Sequence, residues 1–212
     1  MRRTITVTAA LALALSLLVA GSAAARSANR QHSQIQWHPQ TGLSGAVAPG
    51  AKATLVRRDG GVSFSFRTTT LRPGHAYTIW FVVINNPSAC AATPCSGPDV
   101  VLNPATDSQV TYGAGHVSGG SGRGAFAGSF QAGSIEGWLP DGGMWDPRTA
   151  QIQLVLNDHG PVISSYLPEM THSYRAGCTD ASIPPIFPPS AFADGTPGPN
   201  ACQLYQVAAF LP

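Results

Sequence analysis

The stretch Ala76-Tyr77-Thr78-Ile79-Trp80-Phe81-Val82-Val83-Ile84 decides the fold class. It carries no charge, and nearly every residue is apolar, β-branched or aromatic. A run this short and this apolar predicts a central strand buried on both faces. Just upstream, Leu71-x-Pro73-Gly74-x-x-Tyr77 has the form of a tyrosine corner. In that motif a Tyr at the start of a strand turns its hydroxyl back to the upstream backbone. Further upstream, Thr54–Arg58 leads through Asp59-Gly60-Gly61 into Val62–Thr68. The Asp-Gly pair signals a hairpin. Val62, Phe64 and Phe66 alternate with Ser63, Ser65 and Arg67, so the apolar three share one face.

Downstream, strands are predicted over Val100–Leu102, Gln109–His116, Gly124–Gln131, Ala150–Leu156 and Gln203–Phe210. In the Ala150 run, Ile152, Leu154 and Leu156 form a single core face. No segment after the N-terminal apolar run sustains helical spacing of apolar residues. Roughly eight short strands separated by turn residues predict an all-β fold, a single antiparallel β-sandwich of Greek-key or immunoglobulin-like type.

Composition narrows the function classes. Of 212 residues, 23 are Gly and 18 Pro, only 10% are charged, and the formal net charge is +2. Nucleic-acid binding by clustered Lys and Arg is excluded, because the basic residues are few and scattered. Disorder is excluded by the low charge and 43% hydrophobic content. Arg2-Arg3, the uncharged apolar run 5–20 and Ala23-Ala24-Ala25 predict a cleaved secretory signal over residues 1–25. The apolar core falls short of the roughly 20 residues that a spanning helix needs. Without residues 1–25 the chain has ten basic and ten acidic side chains. Residues 26–50 are polar and read as a linker or a covering strand, and residues 51–212 read as the domain. A secreted or cell-surface location follows, with no membrane span after cleavage.

Cys90, Cys95, Cys178 and Cys202 all lie in the exported part. Four cysteines in such a chain read as two disulfides, with three pairings open. Cys90–Cys95 and Cys178–Cys202 are favoured, since each pair brackets one irregular segment. The second pair closes the Pro-rich stretch 181–200, which has polyproline character.

The blocks HAYTIWFVVINNPSAC (75–90), GAGHVSGGSGRGAFAGSF (113–130) and DPRTAQIQLVLNDHGP (146–161) resemble a family of exported bacterial all-β proteins. That family has no established activity. The resemblance implies the fold, the export and the disulfides, and carries over no catalytic residue.

Catalytic signatures are sparse. No Ser has Gly two residues away on both sides, as the nucleophile elbow requires. Gly119-Gly120-Ser121-Gly122-Arg123-Gly124 lacks the Lys-Ser/Thr of a phosphate loop and reads as a hairpin turn. His75, His116 and His159, with Asp158, are the candidate ligands for zinc or copper, since neutral imidazole suits both ions. Glu136, Asp141, Asp146 and Asp158 lie near Trp138 and Trp145, a pattern open to sugar stacking or to a core-anchored connection. The preferred expectation is a secreted, non-catalytic binding module without a cofactor, contacting an extracellular protein or glycan. Trp138, Trp145, Phe187 and Phe192 are the candidate contact residues. The alternative is a metal-dependent enzyme built on the histidines.

Overall fold

The computed structural model describes residues 27–182 and 196–212. The predicted signal segment lies outside the described residues, as does most of the Pro-rich stretch, Phe187 and Phe192 included. The strands are β1 (Asn29–Trp37), β2 (Val47–Arg58), β3 (Gly61–Thr68), β4 (His75–Ile84), β5 (Ser108–Val117), β6 (Gly124–Gln131), β7 (Gly133–Ser134), β8 (Gly143–Met144), β9 (Gln151–Pro161) and β10 (Gln203–Phe210). Two short helices accompany them, α1 (Gly97–Leu102) and α2 (Leu167–Met170). Among the described residues, no helix is long and apolar enough to cross a membrane.

The eight long strands form one antiparallel sheet in the order β5-β4-β9-β10-β1-β2-β3-β6, while β7 and β8 make a separate small pair. The expected sandwich of two stacked sheets is therefore replaced by one continuous sheet. It curls until its edge strands β5 and β6 stand side by side, nearly closing a barrel. Irregular register between β1 and β2, at Tyr205 of β10 and at Gly113 of β5 helps the curl, because a bulge bends a strand and adds twist. Glycine permits the final approach. A Cβ on Gly128 would lie 2.6 Å from the Phe64 ring and 3.0 Å from the Gly113 carbonyl oxygen of β5.

The barrel interior is the main core. Leu55, Phe64, Phe66, Tyr77, Ile79, Phe81, Ile152 and Leu154 are among its buried residues. Phe81 stacks on Phe130 at 4.1 Å and on Phe64 at 5.9 Å. β4 is buried on both faces, as its sequence predicts. β9 departs from expectation: it runs on to Pro161, and both of its faces are buried. Gln151, Gln153 and Val155, predicted to face solvent, lie beneath a covering loop that runs from Cys90 through α1.

That loop also corrects the strand predicted at Val100–Leu102, which is part of α1. Ser96 caps the helix by accepting from the Asp99 amide, and the Asp99 carboxylate accepts from the Ser96 amide at 2.8 Å. With Pro98 in the first turn, this reciprocal cap outweighs the β preference of Val100 and Val101. The second correction is β1. Of the two readings of residues 26–50, linker or covering strand, residues 29–37 take the strand, and it lies inside the sheet between β10 and β2.

Buried charges sit at opposite ends of β9. Near its start, Arg57 is fully buried. Its guanidinium donates to the carbonyls of Pro147 and Ala150, both at 2.7 Å, and of Phe210 at 3.2 Å, and to Gln31 Oε1 at 2.8 Å. Desolvation lowers its pKa to about 10, opposed by nearby Asp146, so it stays charged at neutral pH. Near the end of β9, Asp158 Oδ1 meets His75 Nδ1 and accepts from the Gly160 amide, both at 2.8 Å. Its Oδ2 accepts from Tyr77 Oη at 3.1 Å and lies 3.5 Å from Arg72. The Tyr77 hydroxyl accepts from the Arg72 amide at 2.9 Å, the tyrosine-corner bond expected from the sequence. Burial, with Asp158 alongside, pushes the Tyr77 phenol well above its ordinary range.

Candidate functional site

The outer face of the sheet carries the candidate site. Two rows of side chains cross it from strand to strand. Gln36, Val207, Val155 and Trp80 are register partners across β1, β10, β9 and β4. Ala209, Gln153, Val82 and Val110 form the second row across β10, β9, β4 and β5. The sequence places them outward because they alternate with inward Ile79, Phe81, Leu154 and Ala208. Four strands at about 4.8 Å apart make each row about 14 Å long.

The disulfide-closed loop forms one wall. Cys90 and Cys95 are bonded, and Pro94, Cys95 and Pro98 face the rows together with Val100 and Val101 of α1. Gln153 Nε2 donates to the Cys95 carbonyl at 2.7 Å, tying the loop to β9. The opposite wall is β1, with His32, Gln34 and Gln36, followed by the 3-10 turn Pro39–Thr41. Between them lies a pocket of about 900 Å³, partly open to solvent. That volume is at the upper end of small-molecule sites, roughly 300–1,000 Å³.

The floor is mostly apolar, its Gln153 amide tied to the Cys95 carbonyl, and the β1 wall is polar. No Asp, Glu, Lys or Arg side chain lines the pocket among the described residues. His38 is half-buried in the turn beside β1. Burial lowers its pKa to about 4, so it is neutral at neutral pH. Its Nδ1 accepts from the Gln40 amide at 3.3 Å, and the Gln40 side chain accepts from the Leu204 amide at 2.7 Å. These bonds fix the turn against β10.

The residues singled out from sequence lie elsewhere. His75 and Asp158 are joined, as described above, but at one end of the barrel. His159 follows Asp158 on the strand and so points to the other face. It is fully buried, with Nδ1 2.8 Å from the Ala176 carbonyl oxygen and Nε2 2.7 Å from Thr78 Oγ1. Burial lowers its pKa to about 4. His116 lies 3.3 Å from the Arg123 carbonyl oxygen and edge-on to Phe126. The four proposed metal ligands are thus split among separate settings. Among the described residues, the one group of three ligand-type side chains within 4.8 Å is His159, Cys178 and Cys202, and the two sulfurs are bonded to each other.

The proposed sugar loop is also divided. Trp138 is tucked beside Tyr174, ring centroids 6.4 Å apart, and its amide donates to the Val110 carbonyl. Trp145 is 49% exposed, and its indole N–H donates to Asp107 Oδ2 at 2.8 Å. Asp146 and Asp158 are separated by the length of β9, so they make no carboxylate pair. Sequence reasoning missed the pocket because half its wall comes from residues 32–40. The alternation of His32, Gln34 and Gln36 with Ile35 and Trp37 was the available signal.

Comparison with protein-family models, with characterised proteins and with solved structures finds no match to this chain.

Proposed function

We propose that this is an exported binding protein that holds a small molecule in the outer-face pocket between α1 and β1. The pocket itself carries the reading. It pairs a mostly apolar floor with a few hydrogen-bonding side chains on one wall, the usual form of a ligand site. Both predicted disulfides are present, which supports an oxidising compartment. The metal-enzyme alternative has only His75 and Asp158 in contact, and no observation favours it over binding.

The test uses the neutral fluorescent reporter N-phenyl-1-naphthylamine. Saturable binding with one site per chain is expected. Ala209→Trp fills the floor at a half-buried position and should abolish binding while leaving the melting temperature within a few degrees. Absence of saturable binding, or binding unchanged in a folded Ala209→Trp variant, would overturn the reading.

A further inference from the structure

We infer that the ligand of this pocket is an uncharged amphiphile, lying with its apolar body across the β4–β9–β10 floor and its neutral polar end against β1. The inference rests on the binding reading above and adds the chemical class. Its first ground is the uneven distribution of lining residues. Trp80, Val82, Val155 and Val207 supply most of the floor, where the Gln153 amide is tied to the Cys95 carbonyl, whereas His32, Gln34 and Gln36 all stand on β1. A ligand matching this gradient has one apolar end and one polar end, separated by the pocket's span of about 14 Å.

The second ground is the kind of polar group present. Amides offer both donors and acceptors and carry no net charge. Among the described residues, the Gln34 and Gln36 side-chain amides engage no side chain or backbone group, so they are available to a ligand. The other polar groups on this side are already engaged. His32 Nδ1 is 3.1 Å from Thr54 Oγ1, and Gln40 is spent on holding β10. A hydroxyl, ester or amide headgroup would exchange its water bonds for bonds to Gln34 and Gln36. A carboxylate or ammonium would lose hydration here and meet no opposite charge to compensate. An apolar floor with an ionic wall would accept an ionic amphiphile, and this wall contains no Asp, Glu, Lys or Arg among the described residues.

The experiment displaces bound N-phenyl-1-naphthylamine from the full exported protein at neutral pH. Three competitors share one alkyl chain: dodecan-1-ol, kept below its solubility limit, and dodecanoate and dodecylammonium, each kept below its micelle concentration. The alcohol should displace the reporter at a concentration about tenfold or more below either ion. Gln34→Lys, at an exposed position, supplies the missing charge. It should bring dodecanoate to within about twofold of the alcohol. Equal displacement by either ion in the native protein would overturn the inference, as would a Gln34→Lys variant with unaltered selectivity. Failure of all three competitors while the reporter still binds would also overturn the ligand class and leave the pocket reading standing. Failure of the reporter itself to bind would instead overturn the pocket reading.

Discussion

The two faces of β4 are both apolar in sequence, and with β9 alongside they end in opposite physical states. Inward, Ile79, Phe81, Leu154 and Leu156 are fully buried among aromatic rings, and nothing is left open. Outward, Trp80, Val82 and Val155 are also buried, yet they floor an open pocket. The inner face is covered by the sheet's own far strands, which curl round and interdigitate. The outer face is covered by a short disulfide-closed loop and one helix of six residues. A wide sheet can bury its inner face by closing on itself. A small lid on the other side spans only part of the surface beneath it, and the remainder is the site. Close packing therefore marks the inner face, and incomplete cover leaves the outer face with the pocket proposed as the site.

The sharpest way to separate the faces is Phe81→Ala. Truncating a stacked ring inside the barrel should cost about 3–5 kcal/mol in chemical denaturation. Next come the two cross-links. Removing Cys178–Cys202, with a sequence separation of 24, should cost about 3 kcal/mol and spare reporter binding. Removing Cys90–Cys95, with a separation of 5, should cost only about 2 kcal/mol but weaken binding, because that loop is the pocket wall. If both deletions leave binding untouched, the contrast between the two covers is wrong. Smallest is Val155→Ala, which should cost about 1 kcal/mol, since one side of this residue already faces space. It should shift binding more than stability.

Acid should reveal the buried imidazoles. Burial lowers the pKa of both His159 and His38 from 6.5 to about 4. Between those values the unfolded chain binds more protons than the folded one. Stability present above pH 6.5 is thus lost as pH falls towards about 4, and these groups cause no further loss below that. For fully buried His159 the loss is on the order of 3 kcal/mol. Denaturation midpoints measured across that range should fall, and His159→Asn should flatten the pH dependence even where it lowers the plateau.

Where local chemistry suffices, the sequence is a good guide. The β4 run, the Asp59-Gly60 hairpin and the Tyr77 corner are each set by residues within a few positions of one another. Both cysteine pairs bracket their own loops, and both form. The reading was weaker where pairing is non-local. Whether eight strands make two sheets or one depends on β1 inserting between β10 and β2, and strand periodicity carries no partner information. β1 is also quiet as a strand, since Ile35 is its one fully buried side chain. Its outward His32, Gln34 and Gln36 dilute the apolar signal because they line the pocket. α1 was legible in principle, through Ser96, Pro98 and Asp99, but two adjacent valines suggested a strand. The separation of His75 from His159 follows from strand alternation at Asp158, once β9 is known to extend that far.

Methyl-resolved NMR during a titration with dodecan-1-ol tests the central claim most directly. The account predicts saturable shifts at the methyls of Val82, Val100, Val155 and Val207, with those of Ile79, Leu154 and Leu156 unmoved. Shifts confined to the inner-face methyls, or no saturable shift at the outer-face valines, would contradict it.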